Sequence, residues 1–209
     1  MKKTLVLLAF FTLASLGAQS INYGVTGNFH RGSIVGVHDR SIGRYGGAIG
    51  AFVQFPLVEN DIFNSAWLYL VPQIEYSMQG ENAKAEKERY GLQKFHHDYV
   101  AAQLYVKYFV SRYGYKTNVF VFGGPRVEFL VNESRKVDPA YDAAYYQFNY
   151  DKTLTKTSFG ASIGVGMVIN DHFEGFVRYD QGVTRVYPDN TFRNTFNRQL
   201  AIGLNYLIL

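Results

Sequence analysis

The chain has 209 residues, room for one domain or one barrel and too little for two comfortable ones. Its 21 Lys and Arg against 17 Asp and Glu give a formal charge of +4; Lys2 and Lys3 lie in an N-terminal leader, and the small remainder excludes a dedicated nucleic-acid binder. No cysteine is present, which excludes a disulfide scaffold, a thiolate metal site and a cysteine nucleophile, while 17 Tyr, 17 Phe and 20 Gly against 5 Pro indicate strands and turns.

Residues 1–18 pair a basic Met1-Lys2-Lys3 start with a short apolar run from Thr4 to Leu13 and a small-residue end at Ala18. That is the layout of a secretory signal, with cleavage expected after Ala18 and the remaining 19–209 forming one barrel domain. The apolar run is too short for a comfortable membrane helix, and no later stretch is long enough either.

From Ile21 onward the dominant period is two, and eight strands are expected. In chain order they are Ile21–His30, Gly47–Leu57, Ala66–Met78, Asp98–Val110, Asn118–Val131, Thr157–Ile169, Phe173–Thr184 and Phe196–Leu209. Each matches the ~9–11 residues of a tilted bilayer-spanning strand. The intervening segments alternate long and short. Arg31–Gly46, Gln79–His97, Asn132–Lys156 and Arg185–Thr195 are long, whereas Val58–Ser65, Ser111–Thr117 and Asn170–His172 are short. This alternation fits an up-and-down meander with all its long loops at one end. The mixed charge run from Glu81 to Arg89 reads as solvated loop.

Each strand has one apolar face. Val100, Ala102, Leu104, Val106, Tyr108 and Val110 oppose Tyr99, Ala101, Gln103, Tyr105, Lys107 and Phe109. Leu200, Ile202, Leu204, Tyr206 and Ile208 likewise oppose Asn197, Gln199, Gly203 and Asn205. Alternation alone allows a soluble lipocalin-like barrel with the apolar face inward, or a membrane barrel with it outward. The loop asymmetry favours the membrane barrel, as does a chain that stops on its last strand. So do aromatics near strand ends, read as two girdles: Tyr23, Phe55, Phe95, Phe109, Tyr115, Phe129, Phe173, Phe196 and Tyr206. The expected fold is all-β, an eight-stranded antiparallel up-and-down transmembrane β-barrel, or ten strands if the longest loop forms its own hairpin.

Several segments resemble the small outer-membrane β-barrel domain family, often labelled porin family and including PorT-like proteins. They are Gly46–Pro56, Leu70–Ser77, Val119–Pro125, Phe159–Gly166 and, most specifically, Arg178-Tyr-Asp-Gln-Gly-Val-Thr184. The fourth strand, Gln103–Tyr108, departs from the pattern in lacking a proline, and Leu209 replaces the usual terminal aromatic. The resemblance implies a Gram-negative outer-membrane location, with outer-membrane lipids and the assembly machinery as partners. It implies no particular solute.

On the polar face, Glu75, Lys107, Arg126, Glu128, Glu174, Arg178 and Asp180 are expected to form a lumenal charge network. Arg126 and Glu128, like Arg178 and Asp180, are two apart and roughly 6–7 Å along one strand face. His96-His97-Asp98 is the best cluster for a catalytic or metal role, against the simpler reading of a solvated loop. Tyr141, Tyr145, Tyr146, Phe148 and Tyr150 form a candidate external contact loop, against the alternative of a β extension packing on itself. The function expected is non-enzymatic and without a cofactor: a structural or binding role through external loops, as a monomer, and not an open porin. A lipid-modifying enzyme and a PorT-like secretion component are the alternatives.

If the leader is cut after Ala18, the intact mass of the purified protein will correspond to a chain beginning at Gln19. A purified chain still beginning at Met1 would contradict export.

Overall fold

The computed structural model describes residues 21–35, 41–60, 65–83, 93–112, 115–137, 153–190 and 193–208. They form eight strands: β1 (Asn22–Val35), β2 (Ser41–Asn60), β3 (Ser65–Ala83), β4 (Gln93–Arg112), β5 (Tyr115–Lys136), β6 (Thr157–Val168), β7 (Phe173–Gly182) and β8 (Phe196–Ile208). Each pairs antiparallel with its chain neighbour, and β1 closes on β8 from Tyr23↔Ile208 to Val35↔Phe196. The leader and the loop carrying Tyr141, Tyr145, Tyr146, Phe148 and Tyr150 lie outside the described residues.

Alternation assigns the two faces. Leu104 and Val106 are 43% and 48% exposed, whereas Gln103 and Lys107 are 4% and 3% exposed. On β8, Leu200, Ile202 and Leu204 are exposed while Gln199 and Ala201 are buried. The outer wall is therefore a continuous apolar surface, far larger than a protein keeps in contact with water. Among the described residues no helix is long and apolar enough to cross a membrane. The strands do the crossing, each hydrogen-bonded to its two neighbours around a closed ring.

The lumen is narrow, and the chain fills it by setting rings against glycines. Phe52, Phe120, Phe122 and Phe176 sit where a Cβ at Gly24, Gly166, Gly164 or Gly203 would come within 2.3–2.7 Å of a ring atom. Each large ring thus requires the absence of a side chain on a neighbouring strand. Phe52, Phe120 and Phe122 belong to an apolar layer at the end of the short turns, with Tyr69, Val71, Tyr105, Phe109 and Leu207, and Phe176 packs edge-on against Phe122 at 6.0 Å. A second apolar cluster of Ile34, Leu154, Val186 and Tyr187, packed against Leu130, caps the opposite mouth.

The first five strands run several residues further than expected toward the long-loop end. β2 begins at Ser41 rather than Gly47, β4 at Gln93 rather than Asp98, and β5 continues to Lys136. Beyond the bilayer both faces of a strand meet polar surroundings, so the apolar–polar contrast that marks a spanning strand disappears. The reading of Glu81–Arg89 as solvated loop is corrected at its start, since Glu81 lies in β3 and is fully buried. Gly80 in the same extension takes φ 124°, and a Cβ there would meet the Phe95 carbonyl oxygen at 2.1 Å. The girdle reading is corrected at Phe95 and Phe109, which point into the lumen and are buried. Position near a strand end does not override parity. Tyr23, Phe129, Phe173 and Tyr206 do face outward.

Asp at Val106 or Leu204 is expected to impair assembly by about 2–3 kcal/mol, because both side chains face lipid. Asp at Gln103, which faces the lumen opposite Arg126, should be better tolerated. Refolding yields into lipid vesicles will rank the three variants, and the reverse order would invert the face assignment.

Candidate functional site

The inward faces of β3, β5 and β7 meet in the middle of the lumen. From β3, Glu75 Oε1 accepts from Arg126 Nη1 of β5 at 2.7 Å and from Arg178 Nη2 of β7 at 2.8 Å. Arg178 Nη1 also donates to Glu75 Oε2 at 3.1 Å, making that contact bidentate. Each arginine uses its Nε on the acid two residues ahead: Arg126 on Glu128 at 2.8 Å and Arg178 on Asp180 at 3.1 Å. Arg126 further reaches Asp180 at 3.4 Å. Toward the short-turn end, Lys107 of β4 pairs with Glu174 of β7, and its ammonium lies 4.1 Å from the Phe120 ring centroid.

All seven charges named from the sequence are buried in the lumen. Two pairs at i, i+2 form within their own strands. Glu75 joins them across the barrel, a contact that no sequence spacing indicates.

Neutral side chains that the sequence reading left out extend the network. Gln73 Nε2 donates to Glu75 at 3.1 Å, Gln79 Nε2 to Glu128 at 2.6 Å and Asn205 Nδ2 to Glu174 at 3.1 Å. The Tyr105 hydroxyl accepts from Arg178 at 3.3 Å. Their signal was available, because Gln73 and Gln79 share the parity of Glu75 on one strand.

The His96-His97-Asp98 cluster sits in β4 beyond the apolar band, as strand rather than loop. Parity splits it. His97 turns inward and packs edge-on against Tyr187 at 6.3 Å, whereas His96 is only half-buried on the other face. Asp98 accepts from Asn132 Nδ2 at 2.9 Å. Burial lowers the His97 imidazole to about 4, with Arg44 acting in the same direction, so it is neutral at pH 7. Among the described residues no group of three His, Asp or Glu could hold a metal ion.

A closed eight-strand barrel with an apolar wall and a charged, filled lumen belongs to the class of small outer-membrane barrels. The family model of the outer membrane protein beta-barrel domain matches residues 17–187, and the chain belongs to that family. No curated relative matches the sequence. Among solved structures, the Neisserial surface protein A is similar at 13% identity and TM-score 0.46, covering 91% of this chain and 98% of its own. The attachment invasion locus protein of Yersinia pestis, solved with the heparin analogue sucrose octasulfate, matches at 10% identity and TM-score 0.45, over 90% of this chain and 97% of its own. OprG of Pseudomonas aeruginosa matches at 12% identity and TM-score 0.44, over 90% and 94%.

Arg126→Ala would leave Glu128 buried without its arginine and remove one of the two cations on Glu75. The expected loss is about 3–5 kcal/mol. Glu75→Gln should be comparably costly, and the double variant should fall well short of the sum, because both changes remove the same contact. Urea unfolding in detergent micelles will give the three values. Strict additivity would show that the two groups are not coupled.

Proposed function

We propose that this protein is a sealed outer-membrane barrel that acts by binding at its extracellular end, without conducting solutes and without catalysing a reaction. The observation that carries this reading is the filled lumen. Among the described residues, an interior cavity beside Lys107 and Arg178 and another beside Arg126 and Asp180 measure about 20 and 10 Å³. Each has room for about one water molecule and neither for a sugar.

The strand extensions support the second half of the reading. From Val100, the last lipid-facing valine of β4, the strand continues to Gln93, a rise of roughly 20 Å. β3 and β5 pair with it over this length, as far as Ala83↔Gln93 and Lys94↔Lys136. Such a paired platform carries the strand ends Ala83, Gln93 and Lys136 beyond the apolar band. In this reading Tyr141, Tyr145, Tyr146, Phe148 and Tyr150 supply the contact surface, since exposed aromatics are enriched at the centres of interfaces.

In planar bilayers the purified protein is expected to insert without sustained conductance. Steady channels that pass a small sugar would overturn the sealed-lumen reading. Replacing residues 139–151 by a short Gly-Ser linker should leave the heat-shifted gel mobility of the folded barrel unchanged. Loss of the folded form would make that segment part of the fold rather than a contact loop.

A further inference from the structure

Two arginines on the outer wall are left over from the lumenal network. Arg31 of β1 and Arg198 of β8 both point outward and are exposed. They are diagonal neighbours, since Arg31 faces Leu200 while Ser33 faces Arg198. Their other cross-strand neighbours are Tyr45 and Gln181, so no carboxylate adjoins either of them on the ladder. The Arg31 guanidinium lies 6.0 Å from the Tyr45 ring, which stacks on Phe29 at 5.5 Å. The pair therefore sits at the outer edge of the apolar band, level with Tyr45 and above Phe29.

Below the arginines the wall is hollowed. In the row Gly27↔Leu204↔Gly175, two positions of three on this lipid-facing stretch lack side chains. An open apolar trough runs there, lined by Phe29, Val177, Ile202, Leu204 and Tyr206 and continuing onto Val165 and Met167 of β6. From Arg31 to Gly27 is four residues, roughly 13 Å of strand and, at a tilt of ~40°, about 10 Å of depth, which lies within the ~15 Å hydrocarbon depth of one leaflet. A cationic edge above an apolar trough matches the two ends of a single lipid.

We propose that the β7–β8–β1 face is a specific site for one membrane lipid with a phosphate-bearing headgroup, the phosphate held by Arg31 and Arg198 and an acyl chain lying over Gly27 and Gly175. Arginine suits this role because its planar fork donates in parallel to phosphate oxygens and its stem can lie along apolar surface. The dianion of a phosphate monoester would neutralise both guanidiniums. The site rests on the placement of the wall in the membrane and is independent of whether the lumen conducts.

The test is native mass spectrometry of the folded protein released from nanodiscs containing equal amounts of phosphatidic acid and phosphatidylcholine. The wild type should retain one phosphatidic acid with a preference of about ten-fold, in line with the contribution of basic residues at a membrane surface. R31Q/R198Q should bring the preference to parity. Gly27→Leu should lower retention of both lipids by filling the trough. A Cβ at Gly27 meets nothing closer than the Ala48 carbonyl oxygen at 4.0 Å, so that variant keeps the fold, as circular dichroism will verify. An excess of inorganic phosphate should leave the lipid bound. Parity in the wild type, a preference that survives R31Q/R198Q, retention unaffected by Gly27→Leu, or displacement by inorganic phosphate would each overturn the proposal.

Discussion

One carboxylate shared between two guanidiniums sets the terms for the rest of this barrel. Glu75, Arg126 and Arg178 stand on β3, β5 and β7, and no two of those strands are neighbours. Their contacts therefore cross the lumen instead of following the backbone ladder. A buried network of this kind is costly unless complete, because each charge taken from water must recover its solvation from a partner. Pairing across the lumen in turn demands register. A slip of one residue in β3 would carry Glu75 to the lipid face and put Ile74 or Tyr76 in its place. The ladder respects this. β2 and β3 pair without interruption from Ala48↔Ser77 to Phe52↔Gln73, and β4 and β5 from Tyr99↔Leu130 to Gln103↔Arg126. The irregularities fall on either side of the ionic layer.

The ionic layer is also kept dry from both ends. Toward the short turns lie the rings that occupy the glycine positions. At the outer mouth the chain after β7 folds inward, and Val186 donates to the Thr195 carbonyl at 2.7 Å while its own carbonyl accepts from Thr155 at 2.9 Å. This places Val186 and Tyr187 over the lumen beside Ile34 and Leu154. With water restricted, the attraction between the charges is stronger than it would be in an open channel. The apolar ends and the polar middle are thus parts of one solution to filling a cylinder too narrow for bulk water.

Much of this was legible in the sequence, and the limits have physical causes. All eight strands appeared because lipid and lumen impose opposite polarities on successive residues, as in Gln103-Leu104-Tyr105-Val106-Lys107. The signal failed where that contrast failed. Gln79–Ala83 and Gln93–His97 carry polar residues on both faces because neither side meets lipid, and they read as loop. Arg126–Glu128 and Arg178–Asp180 could be named because spacing along one strand is local. The sharing of Glu75 could not, since it depends on which strands face each other across a closed ring. Phe95 and Phe109 were misplaced by reasoning from nearness to a strand end, when alternation had already assigned them inward.

The distribution of charge separates two kinds of surface. Inside, the described acids and bases of the ionic layer pair with one another, and glutamine, asparagine and tyrosine add further hydrogen bonds to them. Outside, Arg31 and Arg198 have no acid beside them on the ladder, and Lys94 and Lys136 face each other directly across β4 and β5. Like charges set opposite one another weaken a sheet unless something anionic or aqueous screens them. A barrel that pairs its interior charges across the lumen, yet sets Arg31, Arg198, Lys94 and Lys136 without a carboxylate opposite them on the described ladder, directs its outer cations at the boundary between protein, lipid and the external medium. Recognition at that boundary is what the proposed roles of the loops and of the β7–β8–β1 face have in common.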